Sequence, residues 1–246
     1  MVNTLLILIL PTSIMAYAFA TKTLKPIEES NSLKEEFANE AAHELKTPIA
    51  NIKMELENIK YENTIPAYKD FAESIREEAD RMQKTINSLM GLVTAQGKKL
   101  SIEKVQVDKV ILDVISKFKK QLKEKSIKTK VTGKNLQLDL NRDSLYNILS
   151  IFLDNAIKYS PKNSTITFNK YSKSICVGDE GVGIKNENLS NVYKRFFRET
   201  NDAVKKNSGS GLGLALAKKI ANKNNFKLSV KNNTFSKGVC ASLYFS

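Results

Sequence analysis

Hydrophobic and polar positions follow three textures along this chain. Residues Leu5–Ala20 carry no charge and are followed by Lys22 and Lys25. From Leu33 the apolar positions are Leu33, Phe37, Ala41, Leu45, Ile49, Ile52, Leu56 and Ile59, at spacings of three and four. That spacing puts them on one face of a helix. Tyr61–Pro66 interrupts the stripe, and a second one runs through Phe71, Ile75, Ala79, Met82, Ile86, Leu89 and Val93. Two amphipathic helices with a short loop predict an antiparallel hairpin over residues 33–96. A lone hairpin has little to pack against, so two copies are expected to pair as a four-helix bundle.

Beyond Gln96-Gly97-Lys98-Lys99 the pattern shortens, and residues 97–103 read as a linker. A helix is expected over Asp108–Lys123, a strand over Ile127–Val131 and a helix over Asp143–Tyr159. Alternation then predicts strands at Ser164–Phe168 and Ser174–Val177, a polar stretch over 181–210, a helix over Leu212–Asn222, and strands at Phe226–Val230 and Val239–Phe245. This order predicts an α+β class: one sheet with helices on one face, over residues 104–246.

The uncharged N-terminal run has two readings. Lys22 and Lys25 just after it suit a membrane segment over residues 1–21 entering the cytoplasm, with residues 22–32 as a juxtamembrane linker. Sixteen residues span roughly 24 Å of an apolar core of about 30 Å, so the first four residues must insert too or the bilayer must thin. Ala16-Tyr17-Ala18 and Ala18-Phe19-Ala20 have the small-x-small form of a signal-peptide cleavage site, but no Lys or Arg precedes the run. The anchor is the favoured reading, with the rest of the chain inside a single-pass cytoplasmic membrane. It leaves almost nothing outside, hence no extracellular sensor in this chain.

Charge sharpens the picture. Among 246 residues the net charge is +13, but residues 1–100 hold 12 Lys and Arg against 14 Asp and Glu, so all the excess lies C-terminal. A basic half suits an acidic ligand, a phosphorylated nucleotide or an anionic membrane, or is a solvated lysine surface; aromatic interleaving of the kind that binds single-stranded nucleic acid is missing. The 10 Gly and 5 Pro exclude collagen-like and low-complexity chains. Cys176 and Cys240 sit in apolar surroundings, fit neither a metal spacing nor a disulfide framework, and read as core fillers in a reducing cytoplasm.

Four constellations carry candidate chemistry. The single histidine, His43, lies in Ala-Ala-His43-Glu44-Leu-Lys46-Thr47-Pro48. Two steps from Ala41 and from Leu45, it points about 200° away from the packed stripe, towards solvent. Glu44 is placed to accept from the ring Nδ1–H, leaving Nε2 as a nucleophile, and Pro48 predicts a kink. A His-Glu-x-x-His zinc site is excluded because Thr47 holds the place of the second histidine. Asn155, in Asp154-Asn155-Ala-Ile-Lys158-Tyr159, offers a carboxamide oxygen to a hard cation, and Lys158 reaches phosphate one turn on. Asp179-Glu-Gly181-Val-Gly183-Ile184 follows a strand; it reads either as a turn or as a carboxylate acceptor beside glycines that let backbone approach a planar ring. Gly209-Ser210-Gly211-Leu212-Gly213 opens a helix whose free N–H groups suit an anion; it is not a Walker loop.

All four in this order, with Arg195-Phe196-Phe197-Arg198 between the last two, resemble a sensor histidine kinase of the two-component type over residues 25–246. The resemblance implies a dimerising phosphoacceptor hairpin and an α/β-sandwich ATP-binding domain of the Bergerat type, shared with gyrase, Hsp90 and MutL. It implies that His43 takes the γ-phosphoryl of ATP, that Glu44 orients it, and that Thr47 positions water for the reverse, phosphatase reaction. The implied nucleotide contacts are Asn155, Lys158, Tyr159, Asp179, Gly181, Gly183, Ile184, Arg195, Phe197, Gly209, Gly211, Leu212 and Gly213, with Mg²⁺ on Asn155 and Asp179 on the adenine amino group. Residues 184–210 would form a mobile lid. The implied partners are a response-regulator receiver domain and a second copy, with no nucleic acid.

Two departures stand out. Ile151 occupies a position where the family usually has a further Asn, which puts Mg²⁺ or phosphate affinity in doubt. The chain before His43 is also too short for the usual signal-relay domain, so input would come from the membrane segment, a partner, or a portion outside this sequence. Two rival readings remain: a regulator phosphatase with weak kinase activity, and a non-catalytic nucleotide-binding membrane-tethered dimer.

Overall fold

In the computed structural model the described residues are 38–58, 65–94, 101–198, 209–233 and 237–245, with Met15 alone before them. The membrane reading of residues 1–21, the hairpin loop and part of the expected lid lie outside these residues, Met15 apart. No helix among the described residues is long and apolar enough to cross a membrane. The chain divides into two compact units, Met1–Met82 and Gln83–Ser246.

In the first unit, helix α1 (residues 38–58) accompanies the beginning of α2 (Ile65–Thr94). The less exposed stripe is Ala41, Leu45, Pro48 and Ile52 on α1, and Phe71, Ile75, Glu78 and Met82 on α2. Polar groups hold the seam: Ser74 Oγ donates to Glu55 Oε1 at 3.1 Å, while Asn51 Nδ2 at 3.3 Å and Arg81 Nη1 at 3.0 Å both donate to Glu78 Oε1. Ile49, Leu56 and Ile86, expected on the packed stripe, are exposed instead, as is Ala79. An apolar face built on threes and fours is wider than a single neighbouring helix covers, so its shoulder stays open.

The second unit is built on a five-stranded sheet in the order β2-β4-β5-β7-β6, from β2 (Lys128–Thr132), β4 (Thr165–Tyr171), β5 (Ser174–Gly178), β6 (Lys227–Asn232) and β7 (Val239–Tyr244). Only β2 and β4 pair in parallel. Helices α3 (Val107–Lys117), α5 (Arg142–Tyr159) and α6 (Gly213–Lys223) bury their apolar faces with the sheet in one core containing Ile111, Leu149, Phe152, Ile166, Phe168 and Leu243. The α+β class with helices on one face is therefore the observed one. Phe168 is wholly buried. Its replacement by alanine is expected to cost about 3–5 kcal/mol, read as a lowered midpoint of thermal or urea unfolding.

Three features differ from expectation. The helix expected over 108–123 is two, because the backbone turns at Phe118 (φ −98°, ψ 10°) before α4 (Lys119–Glu124), which lets the Phe118 ring enter the core. A second, two-stranded sheet pairs β1 (Glu103–Gln106) with β3 (Gln137–Leu140). Each contributes one buried side chain, Val105 and Leu140, too little to make an alternation visible. Finally, Cys176 and Cys240 form a disulfide rather than two separate core fillers. The β5–β7 register sets Cys176 opposite Ser242 and Cys240 opposite Gly178, so the two cysteines are diagonal neighbours with Cα atoms 6.0 Å apart, though 64 residues separate them in sequence.

Candidate functional site

Helix α5 starts on a firm cap. Asn141 Oδ1 accepts from the Ser144 N–H at 2.8 Å, the arrangement that satisfies a free donor of a helix's first turn. From that start the period of 3.6 sends Phe152, Asn155, Ala156 and Tyr159 to one side, where they line a cavity against the sheet. Strand alternation brings Val177 and Asp179 from β5 and its end, and Val239 and Ala241 from β7, to the same cavity. Gly183, Ile184, Val192, Phe197 and Leu214 also line it. It is a mostly apolar slot with few polar groups, the general form of a site for a flat organic ligand.

Asp179 is the polar focus. Its Oδ1 accepts from the Gly181 N–H at 2.8 Å and the Val239 N–H at 3.1 Å, while its own N–H donates to the Val239 carbonyl at 2.9 Å. Oδ2 has no hydrogen-bond partner among the described residues, so one carboxylate oxygen is held and the other is available. Burial pushes the carboxyl above its ordinary value of 3.8, against the two backbone N–H groups, which pull it down. Folding therefore carries a cost for the charged form that is relieved as pH falls through the raised value, and is incurred as pH rises through it.

Of the residues singled out in the sequence, Asn155, Tyr159, Asp179, Gly183, Ile184 and Phe197 line the cavity. Lys158, Gly181, Arg195, Gly209, Gly211, Leu212 and Gly213 do not line it and stand around it. Lys158 pairs with Asp154 one turn back, and a Cβ on Gly209 would stand 3.4 Å from its Nζ. Gly181 lies where a Cβ would come within 2.8 Å of the Tyr159 carbonyl oxygen. Gly211 adopts φ +67° and lies so close to Phe196 that a Cβ would meet its backbone at 2.6 Å. Gly213 opens α6 against Ile151, whose Cγ2 would be 3.3 Å from an added Cβ; Ile151 thus packs where the family's Asn would offer a ligand. Arg195 lies near enough to Lys219 to help lower that amine's pKa, after burial as the larger cause.

Sequence reasoning missed Phe152, Ala156, Val177, Val182, Val192, Arg198, Leu214, Val230, Val239 and Ala241 as cavity walls. Phe152 was findable, since it precedes Asn155 by three positions on the helix, and Ala156 follows Phe152 by four; the strand residues look like ordinary core.

His43 belongs to the first unit and is exposed on α1. Its imidazole makes no hydrogen bond to Glu44 among the described residues, because adjacent helical positions diverge by about 100°. The Thr47 hydroxyl stands 3.5 Å from the His43 carbonyl oxygen, the outer limit of a hydrogen bond. The helix continues through the buried Pro48. No group of three or more His, Cys, Asp or Glu able to hold a metal occurs among the described residues.

Comparison with known proteins covers both units. Residues 33–97 match the His Kinase A (phospho-acceptor) domain, and residues 140–246 match the histidine kinase-, DNA gyrase B- and HSP90-like ATPase. The chain is 30% identical over 230 residues to the signal transduction histidine-protein kinase ArlS of Staphylococcus aureus, covering 90% of this chain and 51% of that protein. It is 28% identical over 225 residues to the sensor histidine kinase YkoH of Bacillus subtilis, covering 89% of this chain and 49% of that protein. The chain thus spans about half the length of these relatives. Among solved structures, histidine kinase ThkA in complex with the response regulator protein TrrA has the same fold, with a TM-score of 0.70 at 17% identity over 93% of this chain and 65% of that one. With a phosphoacceptor-type helical region, an ATPase-type sheet domain and relatives of one kind over most of its length, the chain belongs to the two-component sensor histidine kinase family.

Proposed function

We propose that the chain is an ATP-dependent protein-histidine kinase that phosphorylates its own His43 and passes the phosphoryl group to an aspartate of a response-regulator receiver domain. The observation that carries the nucleotide half is Asp179: a buried carboxylate with one oxygen held and one available, at the back of an apolar slot. An adenine ring fills such a slot, and its amino group donates to Oδ2. Tyr159 flanks the nucleotide, and Lys158, Gly209 and the N-terminus of α6 face its phosphates.

A magnesium ion fits the donors present if ATP supplies most of its ligands. Asn155 lines the cavity and its carboxamide has no hydrogen-bond partner among the described residues, while no carboxylate cluster competes for the metal. Bound there, the ion supplies neutralisation of phosphate charge. The exposed His43 imidazole provides the nucleophile: Nε2 forms a bond to the γ-phosphorus as its bond to the β–γ bridging oxygen breaks, ADP leaves, and the Nδ1 proton passes to Glu44 after a rotamer change. Positioning and charge neutralisation are the main means of catalysis in such transfers.

The exposed apolar shoulder of Ile49 and Leu56 supports pairing of two hairpins, residues 33–96 of each copy, into a four-helix bundle. Residues 104–246 then form the ATP-binding domain. Residues 1–21 are read as a single-pass anchor holding both domains at the cytoplasmic face. Thr47, one turn from His43 and exposed, also favours regulator dephosphorylation as a second activity.

The test is incubation of the chain with γ-labelled ATP and Mg²⁺ beside a His43→Gln variant. Acid-labile, alkali-stable label is expected on the wild type, and loss of at least 100-fold of it in the variant. Equal labelling of the two would overturn the assignment of His43. ATP binding with no label on either would remove the kinase reading and leave the phosphatase.

A further inference from the structure

Strand β6 is the outer strand of the five-stranded sheet, and its last residue is Asn232. The carboxamide of Asn232 is used twice on the same distant residue. Its Oδ1 accepts from the Ile184 N–H at 2.8 Å, and its Nδ2 donates to the Ile184 carbonyl at 2.7 Å. Nδ2 also reaches Asn186 Oδ1 at 3.2 Å. A primary amide satisfying both backbone groups of one residue does what a strand pair would do, at a place where no strand continues. Without it the Ile184 N–H and carbonyl would have only water to turn to.

The clamped residue matters because Gly183 and Ile184 line the cavity directly beside Asp179. The same edge strand holds the segment a second time further on: the Val230 N–H donates to the Tyr193 hydroxyl at 2.8 Å, and Lys218 lies over the Tyr193 ring, Nζ 4.7 Å from its centre. Between these two ties lie η1 (Asn186–Asn188) and the residues leading to Val192, itself a wall of the cavity. A Cβ on Gly183 would come 3.3 Å from Asn232 Oδ1, so the amide also packs on the glycine before the one it clamps.

We propose that Asn232 is a positioning residue for the nucleotide: by clamping both backbone groups of Ile184 to the edge strand, it fixes the Gly183–Ile184 wall of the adenine slot. It touches no nucleotide itself. The inference rests on the reading of the cavity as an ATP site, and deepens it by naming what holds one wall. A fixed wall lowers the ordering cost of binding, so its loss is felt in affinity rather than in the chemical step.

Asn232→Ala, Asn232→Asp and a Lys231→Ala control, all in the full chain, test this by two readouts. The first, without nucleotide, is backbone hydrogen exchange. The Ile184 N–H is expected to exchange at least tenfold faster in Asn232→Ala, while β4 and β5 amides keep their rates. The second is ATP and ADP affinity together with KM and kcat for autophosphorylation. Asn232→Ala is expected to raise Kd for both nucleotides and KM about tenfold, with kcat at saturating ATP within twofold of wild type. Asn232→Asp keeps the acceptor but sets a carboxylate oxygen against the Ile184 carbonyl, so it should be no better than alanine. Lys231→Ala should match wild type in both readouts. Unchanged Ile184 exchange, unchanged affinity, or loss of kcat alone would overturn the proposal. Wild-type chain that binds neither ATP nor ADP would overturn the reading of the cavity itself, and this inference with it.

Discussion

Asp179→Asn should weaken ATP binding about 100-fold while leaving the unfolding midpoint of the nucleotide-free chain within a few degrees of wild type. The amide has the shape of the carboxylate and keeps an acceptor for the Gly181 and Val239 N–H groups, which Oδ1 holds at 2.8 and 3.1 Å. With that oxygen committed to the backbone, the amide nitrogen faces the slot, and in the proposed binding mode a donor meets the adenine amino donor. Loss of a hydrogen bond to a charged acceptor, about 1.5–3 kcal/mol, is worth roughly 10- to 150-fold in affinity. Asp179→Ala should lose the same affinity and stability as well, since two sheltered N–H groups are left without a partner at about 1–3 kcal/mol each. Titration calorimetry with ATP, paired with thermal unfolding, separates the two. The same carboxyl gives the pH dependence its sign. Because burial raises its pKa above 3.8, ATP affinity should begin to fall on acidification at a higher pH than an unburied aspartate would set. That acid limb should be missing in Asp179→Asn; an identical limb in the variant would assign it to another group.

Gly238→Ala should be the most damaging single methyl in the sheet domain. Gly238 adopts φ +133°, outside the regions an L-residue favours, and a Cβ there would stand 2.1 Å from the Asp179 carbonyl oxygen and 2.7 Å from its Oδ1. Backbone strain of about 1–3 kcal/mol and an overlap costing a similar amount add to roughly 3 kcal/mol or more. The obstructing atoms are backbone as well as side chain, so the neighbour has little freedom to yield. Relief requires the start of β7 to move off Asp179, which would break the Val239 N–H bond and open the cavity proposed for adenine. The expected result is a lowered unfolding midpoint together with weak ATP binding. A variant of wild-type stability and affinity would show that the turn before β7 does not set the slot.

The phosphoacceptor helix and the sheet domain were legible in the sequence because their marks are local. Spacings of three and four and the switch to alternation after residue 160 both depend on neighbours a few positions apart. The split at Phe118 was not legible, since a single buried ring decides it. The strands of the small sheet were hidden for the same reason, with one buried side chain each. Within the site, Asn155, Asp179 and the glycines were visible as chemical types at known spacings, whereas Val177, Val239 and Ala241 are indistinguishable from core until the sheet is built.

By itself, then, the sequence determined the fold class, the order of the five main strands, the exposure of His43 and the identity of the polar groups available for phosphoryl chemistry. Periodicity and residue type suffice for those. Tertiary structure alone decided which of these groups meet. Antiparallel pairing of β5 with β7 set the Val239 N–H on a carboxylate 60 residues away, placed Cys176 diagonal to Cys240, and left the edge strand to clamp Ile184 across 48 residues. Such contacts follow from sheet order and register, which depend on how the whole apolar surface is buried rather than on any local run of residues.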